Sequence, residues 1–132
     1  MPVWQKADEI VGEVYKLTEI LPKREDYALC SQLRDAAISI AGNIAEGFGR
    51  GHKKDKINFY FYSRGSCFEV RSHLYSGKTV GYFSVEQIKP IDEKCMKVVE
   101  ELNKIIKGLN WVIILNLILN LNLNLKLWKV SY

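Results

Sequence analysis

Three cysteines in 132 residues are an odd and sparse set, too few for a disulfide framework and in keeping with a reducing, cytoplasmic compartment. Cys30, Cys67 and Cys95 form no CxxC pair, and the two histidines, His52 and His73, stand 21 positions apart. No metal site or other cofactor is therefore expected. No long apolar run is present: the longest, Trp111 to Leu115, is far too short to cross a bilayer, and no membrane role is expected. Met1 to Glu9 is polar and lacks the apolar centre of a signal peptide. No stretch fits the Walker phosphate loop. Gly47-Phe48-Gly49-Arg50-Gly51 is glycine-rich, but it follows a helical pattern and lacks the dinucleotide-binding spacing. No nucleophile–base pair can be argued from residue order, so no enzymatic activity is expected.

What remains is the composition of one soluble globular domain: 48% hydrophobic and 26% charged residues, in 15.2 kDa. A chain of this size buries roughly 65–70% of its unfolded surface, enough for a core without staples. Its charge is unevenly spread. Residues 1–52 carry 6 basic and 8 acidic side chains, and residues 53–82 carry 6 and 2. Residues 83–110 balance at 5 and 5, and residues 111–132 hold 2 lysines and no acid. The basic middle is either a solvated helix face or a patch for an anionic partner.

Periodicity predicts four helices. The first runs from about Trp4 to Leu21, with Ala7, Ile10, Val11, Val14, Leu17 and Leu21 on one side and Pro22 as its stop. The second runs from about Tyr27 to Glu46, with Asp26 as N-cap and Leu29, Leu33, Ala36, Ala37, Ile40 and Ile44 as its stripe. The glycines from Gly47 to Gly51 then end it by allowing positive φ. The third runs from about Lys53 to Val80. Ser84 and Gln87 read as a capping box for the fourth. Pro90 predicts an irregular start to that helix, or a regular helix beginning near it. Cys95, Val98, Leu102, Ile105, Leu109 and Val112 then form a seam suited to bundle packing. The fold class is thus an all-α, up-down antiparallel four-helix bundle over residues 1–114, followed by a Leu/Asn-rich extension over 115–132.

In that extension leucine occupies every odd position from Leu115 to Leu127, with Asn116, Asn120, Asn122 and Asn124 between. The alternation fits a strand, an edge prone to aggregation, or an arm that adds to a partner's sheet. The favoured expectation is an ill-ordered extension into which the fourth helix continues for some way.

Two arginines on the third helix stand out. Ile57, Phe61, Phe68 and Tyr75 lie within about 40° of one another. Arg64 and Arg71 sit beside that stripe, with Tyr60, Cys67 and Leu74 beyond them. A buried arginine needs a partner. Glu46, Asp35 and Glu13 are the internal candidates, and the alternative is an assembled surface meeting phosphate. The breadth of this apolar surface points to an oligomer.

Three stretches carry a family resemblance: Val3-Trp4-Gln5-Lys6-Ala7; Ser31-Gln32-Leu33-Arg34-Asp35-Ala36-Ala37-Ile38-Ser39-Ile40 running into Asn43-Ile44-Ala45-Glu46-Gly47-Phe48-Gly49-Arg50-Gly51; and Ser63-Arg64-Gly65-Ser66 with Glu69. Over about residues 3–112 the chain resembles the four-helix-bundle proteins encoded in intervening sequences of bacterial 23S ribosomal RNA genes. The accessory protein of diversity-generating retroelements is similar to these. The resemblance implies a barrel-shaped homopentamer and no catalytic residues. It implies nucleic-acid binding through a basic surface in the retroelement relative, and a ribosomal RNA association suggested by gene location in the others. Asn43, Glu46, Gly47, Gly49, Arg50, Arg64, Gly65 and Glu69 match signature positions, which implies structural roles. Family members usually end near the start of the Leu/Asn extension.

Two functions follow as expectations. One is an oligomer that binds ribosomal or other structured RNA through phosphate contacts from Arg50, Lys53, Lys54 and Lys56, with Arg71 and Lys78 in addition. Such binding has little sequence preference and a steep salt dependence. The other is a scaffold for a protein partner with no nucleic-acid role.

Overall fold

Residues 1–130 are described by the structure, a computed structural model. Pro2 opens α1 (Pro2–Thr18), where its missing N–H costs nothing. Val3, Ala7, Ile10, Val14 and Thr18 follow at steps of three and four and are buried. The helix ends earlier than Leu21 because Ile20 and Leu21 donate to Leu17 and Thr18, tightening the chain toward Pro22. A short 3-10 turn spans Lys23–Glu25.

The second helix, α2 (Leu29–Gly49), starts after Asp26. Asp26 does not cap it; the carboxylate of Glu25 does, accepting from the Leu29 N–H at 3.2 Å. Its other oxygen accepts from Tyr82 Oη at 3.1 Å, which ties this corner to the α3–α4 connection. The helix runs through Gly47 and Gly49, and neither has positive φ. Gly47 is needed for space: a Cβ there would stand 2.8 Å from the Tyr60 ring and 3.1 Å from Phe59 Cβ. Gly49, Gly51 and Gly65 have nothing within 4 Å of such a Cβ.

Helix α3 (Lys53–Thr79) buries Ile57, Tyr60, Ser63, Cys67, Val70, Leu74 and Gly77. Its two buried hydroxyls are satisfied across the α2 contact: Ser63 Oγ donates to the Ile40 carbonyl at 2.7 Å and Ser66 Oγ to Ser39 Oγ at 2.9 Å. Gly81, at φ 89°, makes the turn, and buried Phe83 packs where a Cβ on Gly77 would sit.

The capping box forms as expected. Gln87 N donates to Ser84 Oγ at 3.2 Å and Ser84 N to Gln87 Oε1 at 2.8 Å. Helix α4 (Val85–Val130) is continuous through exposed Pro90 and 46 residues long. Its inner seam is Ile88, Ile91, Cys95, Val98, Val99, Leu102 and Ile106. Ile105 and Leu109 are half-buried and Val112 is exposed, so the seam turns slightly away from the predicted line. Each helix packs on two neighbours in the cyclic order α1, α2, α3, α4, giving the up-down bundle.

The Leu/Asn stretch is helix over its described residues, and the strand and sheet-addition readings do not hold for them. The bundle ends near Ile113, and residues 114–129 are exposed all round. By length and composition this helix holds a stretch able to cross a membrane.

Candidate nucleic-acid interface and the α3 ridge

The α2–α3 corner gathers four of the predicted phosphate contacts, with different commitments. Lys53 and Lys54 are exposed on the first turn of α3. Arg50 is paired with Glu46 at 2.8 Å and lies 4.6 Å from the centre of the Phe59 ring, while its side chain stays 46% exposed. Lys56 is mainly a cap: its Nζ donates to the carbonyls of Phe48 at 2.7 Å and Gly47 at 3.3 Å, at the negative end of α2.

The other two predicted contacts lie elsewhere. Lys78 sits near the far end of α3, roughly 37 Å from Lys53 by helical rise, and cannot share a footprint with it. Arg71 forms an ion pair with Asp92 of α4, and that hydrogen bond raises its pKa above the ordinary arginine value. Tyr75 Oη donates to the second oxygen of Asp92 at 3.2 Å, and its own pKa rises for the same reason.

Arg64 does not find Glu46, Asp35 or Glu13. It donates to Asn103 Oδ1 at 2.8 Å and stacks 4.6 Å from the Phe61 ring centre. The three carboxylates are engaged elsewhere: Glu46 by Arg50 and Asp35 by Ser31 Oγ at 3.4 Å within α2, and Glu13 by Lys94 of α4 at 2.8 Å. Asn43 donates to the Ser39 carbonyl and hydroxyl, both at 2.9 Å. Glu69 faces His73 at 3.4 Å on the outside of α3.

Phe61, Phe68 and Tyr75, seven residues apart, form an outward ridge with exposures of 38, 47 and 45%. Arg64 and Arg71 interleave with them, each over the preceding ring. The inward stripe is the neighbouring one, Tyr60, Cys67 and Leu74. Burial pushes the Cys67 thiol up and takes that of Cys95 to about 12, so both stay neutral. Among the described residues no cluster of His, Cys, Asp and Glu could hold a metal ion.

Sequence reasoning missed Asp92, Lys94 and Asn103. Lys94 bridges Glu13 and Glu9, at 2.8 and 3.3 Å, and its pKa is raised chiefly by the Glu13 hydrogen bond. Lys6 pairs with Glu101 between the same two helices. No local signal marks any of these, because each depends on the register of α4 against its neighbours.

No curated protein matches the chain. A solved structure is similar, a protein of unknown function from the S23 ribosomal protein family of Bacteroides thetaiotaomicron VPI-5482. It has a TM-score of 0.71 at 22% identity, covering 80% of this chain and 98% of its own. The family model described as 23S rRNA-intervening sequence protein matches residues 1–104, ending before the exposed stretch of α4. With the bundle and the signature residues in place, the chain belongs to the 23S rRNA-intervening sequence protein family.

Proposed function

We propose that this is a non-enzymatic, cytoplasmic RNA-binding bundle that works as a homo-oligomer, with the α2–α3 corner as its contact to structured ribosomal RNA. The observation that carries the reading is the exposed pair Lys53 and Lys54 on the first turn of α3, beside the half-exposed Arg50. Three cations at one corner suit a backbone of phosphates and carry no base readout. A single corner is a small footprint, so repetition by oligomerisation supplies the affinity. The exposed Phe61–Phe68–Tyr75 ridge supports self-association, since apolar rings in a row on one face favour coverage by a partner surface. The family resemblance implies five copies. The test is the salt dependence of binding to a structured ribosomal RNA fragment, with and without Lys53 and Lys54.

The same ridge favours a second reading, a scaffold whose partner is another protein. That reading predicts capture that survives nuclease treatment and high salt.

A further inference from the structure

The outer part of α4 is unlike any other surface of the molecule. Between Lys107 and Lys126 lie 18 residues without a charged side chain. The unbroken apolar run Trp111–Leu115 is by itself too short for a bilayer. The continuous helix changes the measure, because the isolated asparagines no longer interrupt the element that carries them.

Three observations bear on what surrounds it. The first is symmetry. Successive side chains are turned by 100°, so leucine at every second position, with Ile113, Ile114 and Ile118, covers the whole circumference. Leu117, Leu119, Leu121, Leu123 and Leu125 are 57–62% exposed. A helix that docks in a groove or lies flat on a membrane surface keeps a broad charged or polar face, and here the polar side chains are uncharged asparagines with leucine on every side of the helix. The second is length. Eighteen residues rise about 27 Å, close to the hydrocarbon thickness of a bilayer; the first of them, through Ile113, still pack on the bundle, which sets the end of the bundle at the bilayer boundary. The third is the pair of ends. Trp111 stands at one end and Trp128 at the other, with Lys104 and Lys107 beyond the first and Lys126 and Lys129 flanking the second. Tryptophan and snorkelling lysine are the residues that settle at the two membrane–water boundaries.

We propose that residues 108–125 of α4 span a lipid bilayer and hold the bundle at a membrane. Asn116, Asn120 and Asn124 fall within about 80° of one another. In hydrocarbon that stripe forms hydrogen bonds between neighbouring copies, as polar residues in spanning helices do.

The test is flotation of the full chain, reconstituted from nonionic detergent into neutral phosphatidylcholine vesicles. The protein should rise with the vesicles and stay with them through 1 M salt and alkaline carbonate, conditions chosen to remove surface-bound protein. The double variant Leu117→Arg, Leu121→Arg places two charges at mid-span on exposed positions. It should lose partitioning by roughly a thousandfold or more, with an unchanged thermal midpoint for the bundle. Protein that stays at the bottom of the gradient, as a monomer or as a soluble helix-mediated oligomer, overturns the proposal. So does release by carbonate or salt, which marks a surface contact, and so does a double variant that floats as well as the parent.

Discussion

Arg71 on α3 and Asp92 on α4 form an ion pair whose second carboxylate oxygen accepts from Tyr75, so one acid side chain fixes two residues of the outer ridge. The pair sits about two helical turns from the α3–α4 connection, and both side chains are largely shielded, at 27 and 17% exposure. Replacing Asp92 by Ala leaves a largely shielded guanidinium without its acceptor. The expected loss is about 1–2 kcal/mol, read as a lower midpoint in urea unfolding. An unchanged midpoint would mean that the pair is no more than a surface contact.

Gly47 and Gly49 separate two glycine roles that look identical in sequence. Gly47→Ala drives a methyl against the ring of Tyr60, a residue only 3% exposed and without room to retreat. It should cost about 1–3 kcal/mol. Gly49→Ala meets open space at the last residue of α2 and should be neutral or stabilising by a few tenths of a kcal/mol. Chemical denaturation of the two variants side by side distinguishes them, and equal effects would contradict the packing at the α2–α3 contact.

Leu102 is fully buried in the α4 seam. Leu102→Ala should cost about 2–5 kcal/mol by lost burial and the cavity left behind. A loss near zero in a denaturant titration would place the register of α4 elsewhere.

The seam through Cys95, Val98 and Leu102 was legible in the sequence because burial repeats at three and four along one helix. So was the Ser84–Gln87 box, which is local chemistry. The face of α3 was not legible: Tyr60-Cys67-Leu74 and Phe61-Phe68-Tyr75 are adjacent heptad lines, and only the partner helices choose between them. The partners of Arg64 and Arg71 lie 39 and 21 residues away, set by helix register that no spacing encodes. The leucine alternation suggested a strand, yet helix propagation from the bundle costs less than starting a sheet with no second strand to pair with.

The buried thiols make a pH prediction. The Cys95 pKa is raised from 9.0 to about 12, chiefly by burial. A folded value above the unfolded one means that the contribution to stability is complete below pH 9 and is lost as pH climbs from 9 to about 12. Stability should therefore be flat in this respect near neutrality and fall on the alkaline side, less steeply in Cys95→Ala. In the folded protein at pH 8, a thiol reagent should label Cys67 and Cys95 only at the rate of unfolding. Rapid stoichiometric labelling would contradict their burial.

The ridge makes a prediction about assembly. Phe68→Glu replaces the middle of three exposed rings by a charge without touching the core. Sedimentation equilibrium in density-matched nonionic detergent should show the parent as an oligomer and the variant shifted toward monomer, with helicity kept. A variant of unchanged mass would remove the ridge as the self-association surface.

On the function proposed, the α2–α3 corner meets the phosphates of structured RNA. The most direct measurement is a salt titration of binding to a structured ribosomal RNA fragment, using nuclease-treated protein in nonionic detergent. Affinity should fall steeply with salt, and the log–log slope should flatten by roughly 1 for each of Lys53 and Lys54 changed to Gln. No binding at low salt, or a slope that ignores both lysines, would contradict it and leave the protein-binding scaffold in its place.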